Sequence, residues 1–210
     1  AVGNQALTAV TTSARNTAVG NVAGASLTTG ASNTFIGDNA GNDLTTGNRN
    51  IIIGAAAGDS ATTTDDTVLI GYGAGGGDVM TGHDNTAMGT NALNATTSGA
   101  SNVAIGRNAL LSNTTASANT AVGYQAGQSN TTGAITAFGS NALSANTTGN
   151  YSHAFGESAL RSNTTGQSNV AVGGSALRTN TTGDRNIGIG DSSLRAVTTA
   201  DNNTAVGHHS

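Results

Sequence analysis

Hydrophobic positions in this chain fall in runs of three, opened by a polar residue and closed by a glycine, as in Asn16-Thr17-Ala18-Val19-Gly20. The closing glycine recurs at Gly3, Gly20, Gly37, Gly54, Gly71, Gly89, Gly106, Gly123, Gly139, Gly156, Gly173, Gly190 and Gly207. The steps are 17 residues, apart from one of 18 (Gly71 to Gly89) and one of 16 (Gly123 to Gly139). A fixed period of this length marks a repeat architecture, in which each unit buries its apolar face only by stacking on its neighbours.

Aligned on the anchor glycine, the repeats form columns. The pre-glycine column is apolar throughout, as at Val19, Ile36, Met88 and Phe155. The column before it is mostly alanine, with Phe35, Ile52 and Leu69 as large exceptions and Gly188 as a small one. Thr, Val and Ile dominate next (Thr17, Ile51, Val103), and Asn is favoured one further back (Asn16, Asn33, Asn50, Asn102). A short β-branched run between Asn and Gly predicts a strand flanked by turns. The glycines leave no helical stripe. After the anchor comes Ala-Leu (Ala109-Leu110, Ala159-Leu160) or Ala-Gly (Ala23-Gly24, Ala40-Gly41), then a corner that reads Asn-Thr-Thr-Gly at Asn130, Asn146, Asn163 and Asn180. The pattern predicts strand, turn, short strand, turn in each repeat, stacked as a β-solenoid. At about 4.8 Å per rung the rod is roughly 55–60 Å long.

Alternation along a strand sends adjacent side chains to opposite faces. If the Val/Ile column fills the interior, the alanine column faces outward with Phe35, Ile52 and Leu69 in it. An apolar ladder along a whole rod is more than a soluble monomer exposes, so the array is expected to associate through that face. On this assignment Glu at Ala121 and Ala171 splits the oligomer. The 18-residue repeat carries an insertion around Gly75-Gly76-Gly77-Asp78, and the 16-residue repeat loses a residue after Gly133.

Composition narrows the picture. Aromatic residues make up only 3% of the chain, 31 residues are Gly, and Pro, Cys, Trp and Lys are absent. Such a chain fills a thin, long core. Without cysteine it has neither disulfides nor thiolate chemistry, and it has no apolar run long enough to span a membrane as a helix. Acids crowd between Asp38 and Asp84, none lies between Asn85 and Phe155, and four of the seven Arg lie from Arg161 to Arg195. This mild asymmetry is not the basic stripe of a nucleic-acid binder. The array runs from 1 to 210 as one unit of about twelve rungs, and its ends fall within repeats, so it is expected to be cut from a longer fibre.

Candidate chemistry is sparse. Gly71-x-Gly73-x-x-Gly76 matches a dinucleotide fingerprint but lacks the following helix that motif needs. Gly190-Asp191-Ser192 and Gly58-Asp59-Ser60 brush against an esterase motif, yet a nucleophilic Ser needs a base in reach. Asp65, Asp66, Asp78, His83 and Asp84 could converge on a hard cation, although their spacing is unordered; His208 and His209 are expected to be exposed. The Asn-x-Thr sequences at Asn94, Asn113, Asn130, Asn146, Asn163, Asn180 and Asn202 match the glycosylation acceptor, with turn chemistry as the simpler account. Stacked threonines raise an ice-binding solenoid, but of each Thr-Thr pair only one residue can share a face. No catalytic, cofactor or metal site is expected, and no enzyme activity; a receptor-binding site has no signature here.

Asn-Thr-Ala-Val-Gly, followed by two variable residues and Ala, resembles the head repeats of trimeric autotransporter adhesins. The longer form with Ala-Leu and Asn-Thr-Thr-Gly is closer to repeats of phage tail fibres and related surface proteins, which often end in an endosialidase-type chaperone. The resemblance covers essentially the whole chain, though 17 residues exceeds the adhesin period. It implies an all-β, parallel left-handed β-solenoid, or β-roll, assembled as a homotrimeric rod. It also implies an extracellular place on a virion tail or cell surface, and a cell-surface receptor or glycan as partner. A phage tail fibre segment in host attachment is the first expectation. A bacterial adhesin or extracellular filament is the alternative, and an ice-binding solenoid stands third.

Overall fold

A computed structural model describes residues 1–210. Twelve short strands follow one another: β1 (Thr17–Val19), β2 (Thr34–Ile36), β3 (Ile51–Ile53), β4 (Val68–Ile70), β5 (Thr86–Met88), β6 (Val103–Ile105), β7 (Thr120–Val122), β8 (Ile135–Phe138), β9 (Ser152–Phe155), β10 (Val170–Val172), β11 (Ile187–Ile189) and β12 (Thr204–Val206). They pair in chain order into one sheet. All pairs are parallel, and equivalent residues of successive repeats face each other: Thr17 pairs with Thr34, Ala18 with Phe35, Val19 with Ile36. The protein is an all-β parallel solenoid with one strand in each rung and no helix.

The anchor glycine ends each strand because nothing else fits there. Gly37 has φ of +137°, and a Cβ on it would lie 2.5 Å from the Gly54 carbonyl oxygen of the next rung. That is far inside van der Waals contact, and the same approach repeats up the stack.

The Ala-Leu segment is not the second strand that its apolar character predicts. Its leucines are left-handed: Leu110 has φ of 49° and Leu160 of 50°. So are residues two positions earlier, such as Asn108 (59°) and Ser158 (57°). Alternating left-handed residues make a tight turn, which curls the chain and points Ala109 and Leu110 into the interior, where both are fully buried. Each left-handed non-glycine residue costs roughly 1–2 kcal/mol. Cross-rung backbone bonds help to hold it, such as Leu110 N–H to the Ala126 carbonyl at 3.0 Å.

The structure reverses the assignment of strand faces. The alanine column points inward: Ala104, Ala121, Ala154 and Ala171 are fully buried, and so are Phe35, Ile52 and Leu69. The pre-glycine column points outward, with Val19, Ile36, Ile105, Phe138 and Phe155 each more than a third exposed. The cause is volume. The interior of a rung must also take the invariably small residue three after the anchor (Ala40, Ala109), the residue after that, and the corner residue. It has no room for a bulky side chain in every column.

The columns compensate. Where Phe35, Ile52 and Leu69 enter from the strand, glycine stands opposite at Gly24, Gly41 and Gly58; a Cβ on Gly41 would lie 2.5 Å from the Phe35 ring, and one on Gly58 2.9 Å from Leu69. Where the strand offers only Ala, Leu110, Leu160 and Leu177 fill the space, and the corner position carries a buried Asn instead of Leu27 or Leu44. Constant total volume with exchanged contributors is how a close-packed core tolerates variation.

Two asparagine ladders seal the ends of this core. In the first, Asn33 Oδ1 accepts from the Asn50 backbone N–H at 2.9 Å and from Asn50 Nδ2 at 3.0 Å, while Asn33 Nδ2 donates to the Gly47 carbonyl at 2.8 Å. In the second, Asn146, Asn163 and Asn180 each donate Nδ2 to the asparagine one rung earlier at 2.8 Å. The shortened rung shows the price of a missing residue. Ile135 replaces asparagine in the first ladder and packs toward Gly127, while Asn119 Nδ2 is left buried without a partner. The insertion in the longer rung exposes Asp78 and Val79, and Met80 returns to the core.

Gly41→Ala should destabilise the fold by more than the roughly 1–2 kcal/mol of a left-handed alanine, because its methyl meets Phe35. Phe35→Ala alone should cost about 3–5 kcal/mol. In the double variant the methyl enters the vacated space, so the effects should be less than additive. Urea denaturation of the four proteins measures the coupling; strict additivity would contradict this account of the core.

Candidate assembly face

The outer side of the sheet is the most distinctive surface. Two columns project from it, because the strand period of two places the pre-glycine residue and the one two before it on the same face. Rung by rung they read Thr17 and Val19, Thr34 and Ile36, Ile51 and Ile53, Val68 and Ile70, Thr86 and Met88, Val103 and Ile105, and so on to Thr204 and Val206. The parallel register puts each side chain directly above its equivalent. Phe138 and Phe155 stack with ring centroids 5.5 Å apart and planes 12° from parallel. Ile51 and Ile187 are themselves 42% and 36% exposed, so the second column adds to the apolar area. The result is a largely apolar stripe running the length of the sheet.

Polar and charged columns border the stripe. On one side, just past the anchor glycine, stand Asn21, Asp38, Tyr124 and Glu157; Asn21 Nδ2 donates to Asp38 Oδ1 at 2.8 Å. On the other side, Arg49 donates to Asp66 through Nε at 2.5 Å and Nη2 at 2.6 Å. That paired geometry raises the Arg49 pKa and holds the Asp66 carboxyl below its ordinary value, chiefly through the hydrogen bond. The partners are 17 residues apart, one rung above the other.

The fold scatters most of the sequence candidates. Gly71, Gly73 and Gly76 are followed by no helix, and Cβ atoms at Gly71 and Gly76 would clash with the backbone of adjoining rungs. Asp65, Asp66, His83 and Asp84 do meet near one edge, but Asp65 Oδ1, Asp66 and His83 Nδ1 already serve other partners. Asp65 Oδ1 accepts from the Asn48 backbone N–H, Asp66 binds Arg49, and His83 Nδ1 accepts from the Asp65 N–H at 2.9 Å. Asn113, Asn130, Asn146, Asn163 and Asn180 are fully buried, which keeps these acceptor amides from a glycosyl donor in the folded protein; Asn202 is exposed. In the Asn-Thr-Thr-Gly corners the first threonine hydroxyl bonds the next rung, as Thr147 Oγ1 does to the Thr164 carbonyl at 3.0 Å, and the second, such as Thr148, is exposed. One column of threonines is not a two-dimensional array.

Sequence reasoning missed one juxtaposition. Ser192 and Ser193 are buried, and His208 Nδ1 lies 3.5 Å from Asp191 Oδ2. The signal was the repeat itself, since 191 and 208 differ by one rung. Neither imidazole hydrogen-bonds Ser192. No helix is long and apolar enough to cross a membrane. Compared with family models, curated proteins and solved structures, the chain finds no significant match.

A third surface, opposite in charge at its two ends, carries Asp43 and Asp59 near the start and Arg161, Arg178 and Arg195 in the last rungs. The Asp59 pKa is raised, first by burial and then by Asp43 and Asp38, against the pull of Asn42. An acid with a raised folded pKa opposes folding while ionised, and the opposition fades as pH falls through that raised value. Asp59→Asn should therefore stabilise the protein at neutral pH. The gain should vanish below the ordinary carboxylate range, about pH 3.9. Denaturation midpoints at both pH values test it; an equal gain at both would show that charge is not the cause.

Proposed function

We propose that this protein is a structural shaft segment of a homotrimeric extracellular fibre, a phage tail fibre taking part in host attachment. The observation that carries the reading is the apolar stripe of the pre-glycine column. It runs through every rung without interruption, and residues such as Ile105 (37%) and Phe155 (42%) remain exposed in the single chain. Leaving it in water is unfavourable at roughly 25 cal/mol per Å² of apolar area. Parallel association about the rod axis sets each rung beside its own equivalents, so one repeat satisfies the whole length of the interface. In a closed three-fold ring the pairwise contacts are heterologous, while every subunit turns the same stripe toward the axis.

The repeat motif supports the trimer and the fibre; the Ala-Leu and Asn-Thr-Thr-Gly form supports a tail fibre over an adhesin head or extracellular filament. Covalent chemistry has no part in this reading. The work is mechanical: a rod stiffened by backbone ladders that holds a receptor-binding element away from its base, or presents adhesive surface toward a cell-surface glycan. The ragged outline of Met88, Phe138, His153 and Phe155 on the stripe suits interdigitation with another chain better than a flat ice lattice.

Light scattering tests the assembly. The wild type should give about three times the 20.3 kDa chain mass. Ile105→Glu with Phe155→Glu should give a folded single chain, because buried unpaired charges at an interface are strongly destabilising. Ala121→Glu should instead unfold the solenoid, as read by circular dichroism, because that side chain is fully buried within one chain. A folded wild-type monomer, or an outer-column double variant that stays trimeric, would overturn the proposal.

A further inference from the structure

We propose that Asp191, His208 and His209 form a binding site for a divalent transition-metal ion of borderline softness, with Zn²⁺ as its representative, and that the ion clips the last two rungs together. One ligand atom from each residue can be chosen so that all three lie within 4.8 Å of one another. The His208 Nδ1 to Asp191 Oδ2 distance of 3.5 Å is close to the edge of a tetrahedron with metal–ligand bonds of about 2.0–2.2 Å. Two imidazoles and a carboxylate are a ligand set that suits such ions, with a fourth position left for water.

The fold brings these groups together in a specific way. Asp191 and His208 occupy the same column, one rung apart. His209 is the adjacent residue, and neighbours on an extended chain point apart. Here His209 is left-handed, with φ of 54°, and the two imidazole centroids come within 4.0 Å. Below the carboxylate the column holds glycine: a Cβ on Gly174 would lie 2.7 Å from Asp191 Oδ1, so the absence of a side chain gives that oxygen its space. The three side chains make no hydrogen bond to the rest of the protein. At the Asp65–His83 edge, by contrast, the same residue types are consumed by Asn48, Arg49 and a backbone N–H.

Two backbone bonds already join these rungs here, from Gly207 N–H to the Ile189 carbonyl at 2.8 Å and from His209 N–H to the Asp191 carbonyl at 3.0 Å. An ion held by Asp191 from one rung and both histidines from the next would add a third tie. Binding favours whichever state holds the ligands in place, so the metal should slow local opening there.

The test is isothermal titration of the whole chain with Zn²⁺, accompanied by Co²⁺ absorption spectra and amide hydrogen exchange. One ion per chain is expected, with a tetrahedral Co²⁺ spectrum and slower exchange at Gly207 and His209. Asp191→Asn, His208→Ala and His209→Ala should each weaken binding by more than about tenfold, since losing even an outer partner of a metal site costs that much. All three residues are exposed, so the variants should keep the wild-type circular dichroism. His83→Ala should bind as the wild type does. The assembly proposal stands apart: in the Ile105→Glu, Phe155→Glu background the site should persist. No Zn²⁺ binding to the wild type, or unchanged binding in the His208→Ala, His209→Ala double variant, would overturn the proposal.

Discussion

Successive rungs approach so closely at the anchor column that a single methyl group cannot enter. A Cβ on Gly123 would lie 2.5 Å from the Gly139 carbonyl oxygen, and one on Gly156 equally close to that of Gly173. Everything else follows from that spacing. Backbone lies directly on backbone, so the strands can be three residues long and still pair fully. Each column tends to keep one residue type from rung to rung, because its neighbours above and below are copies of its own environment, and it departs from that type where the opposite wall compensates, as Gly41 does for Phe35. The sequence period is the chemical consequence.

The same closeness makes the interior narrow, and a narrow interior governs which side chains go where. A fully buried alanine column, with large residues admitted only opposite glycine, leaves most of the bulkier Val, Ile and Phe outside. The fold thereby manufactures an exposed apolar stripe from a composition with few large hydrophobic residues. Ordinary globular proteins put such residues inside first. Here the backbone, the asparagine ladders and alanine close the interior, and the larger side chains stay on the surface.

Polar burial is the other half of the design. The asparagines of both ladders are out of water, and their amides are matched along the stack, each serving a backbone group and its copy in an adjoining rung. Buried amides left unmatched cost about 1–3 kcal/mol each, so the ladder favours one register over any slipped alternative. Its defects fall where a column loses its asparagine: Asn119 Nδ2 lacks a partner beside the shortened repeat, and Asn180 Oδ1 lacks one where Val197 follows it in the column.

The amino-acid sequence by itself determined the period, the parallel stacking, the strand next to each anchor glycine and the corners, because those depend on glycine and asparagine at fixed spacing. It also placed Asp66 one rung from Arg49 and His208 one rung from Asp191, to a reader who steps by seventeen. It did not determine which strand face is the inside. Alternation divides Ala121 from Val122 without saying which of them is buried, and the ordinary preference for larger residues in the core points the wrong way. Only the tertiary structure decided that, because the available volume is set jointly by residues such as Gly41 and Phe35 on opposite walls of the rung. The left-handed turn at Leu110 was equally hidden, since leucine rarely adopts that conformation and does so here only where the stacked backbone holds it.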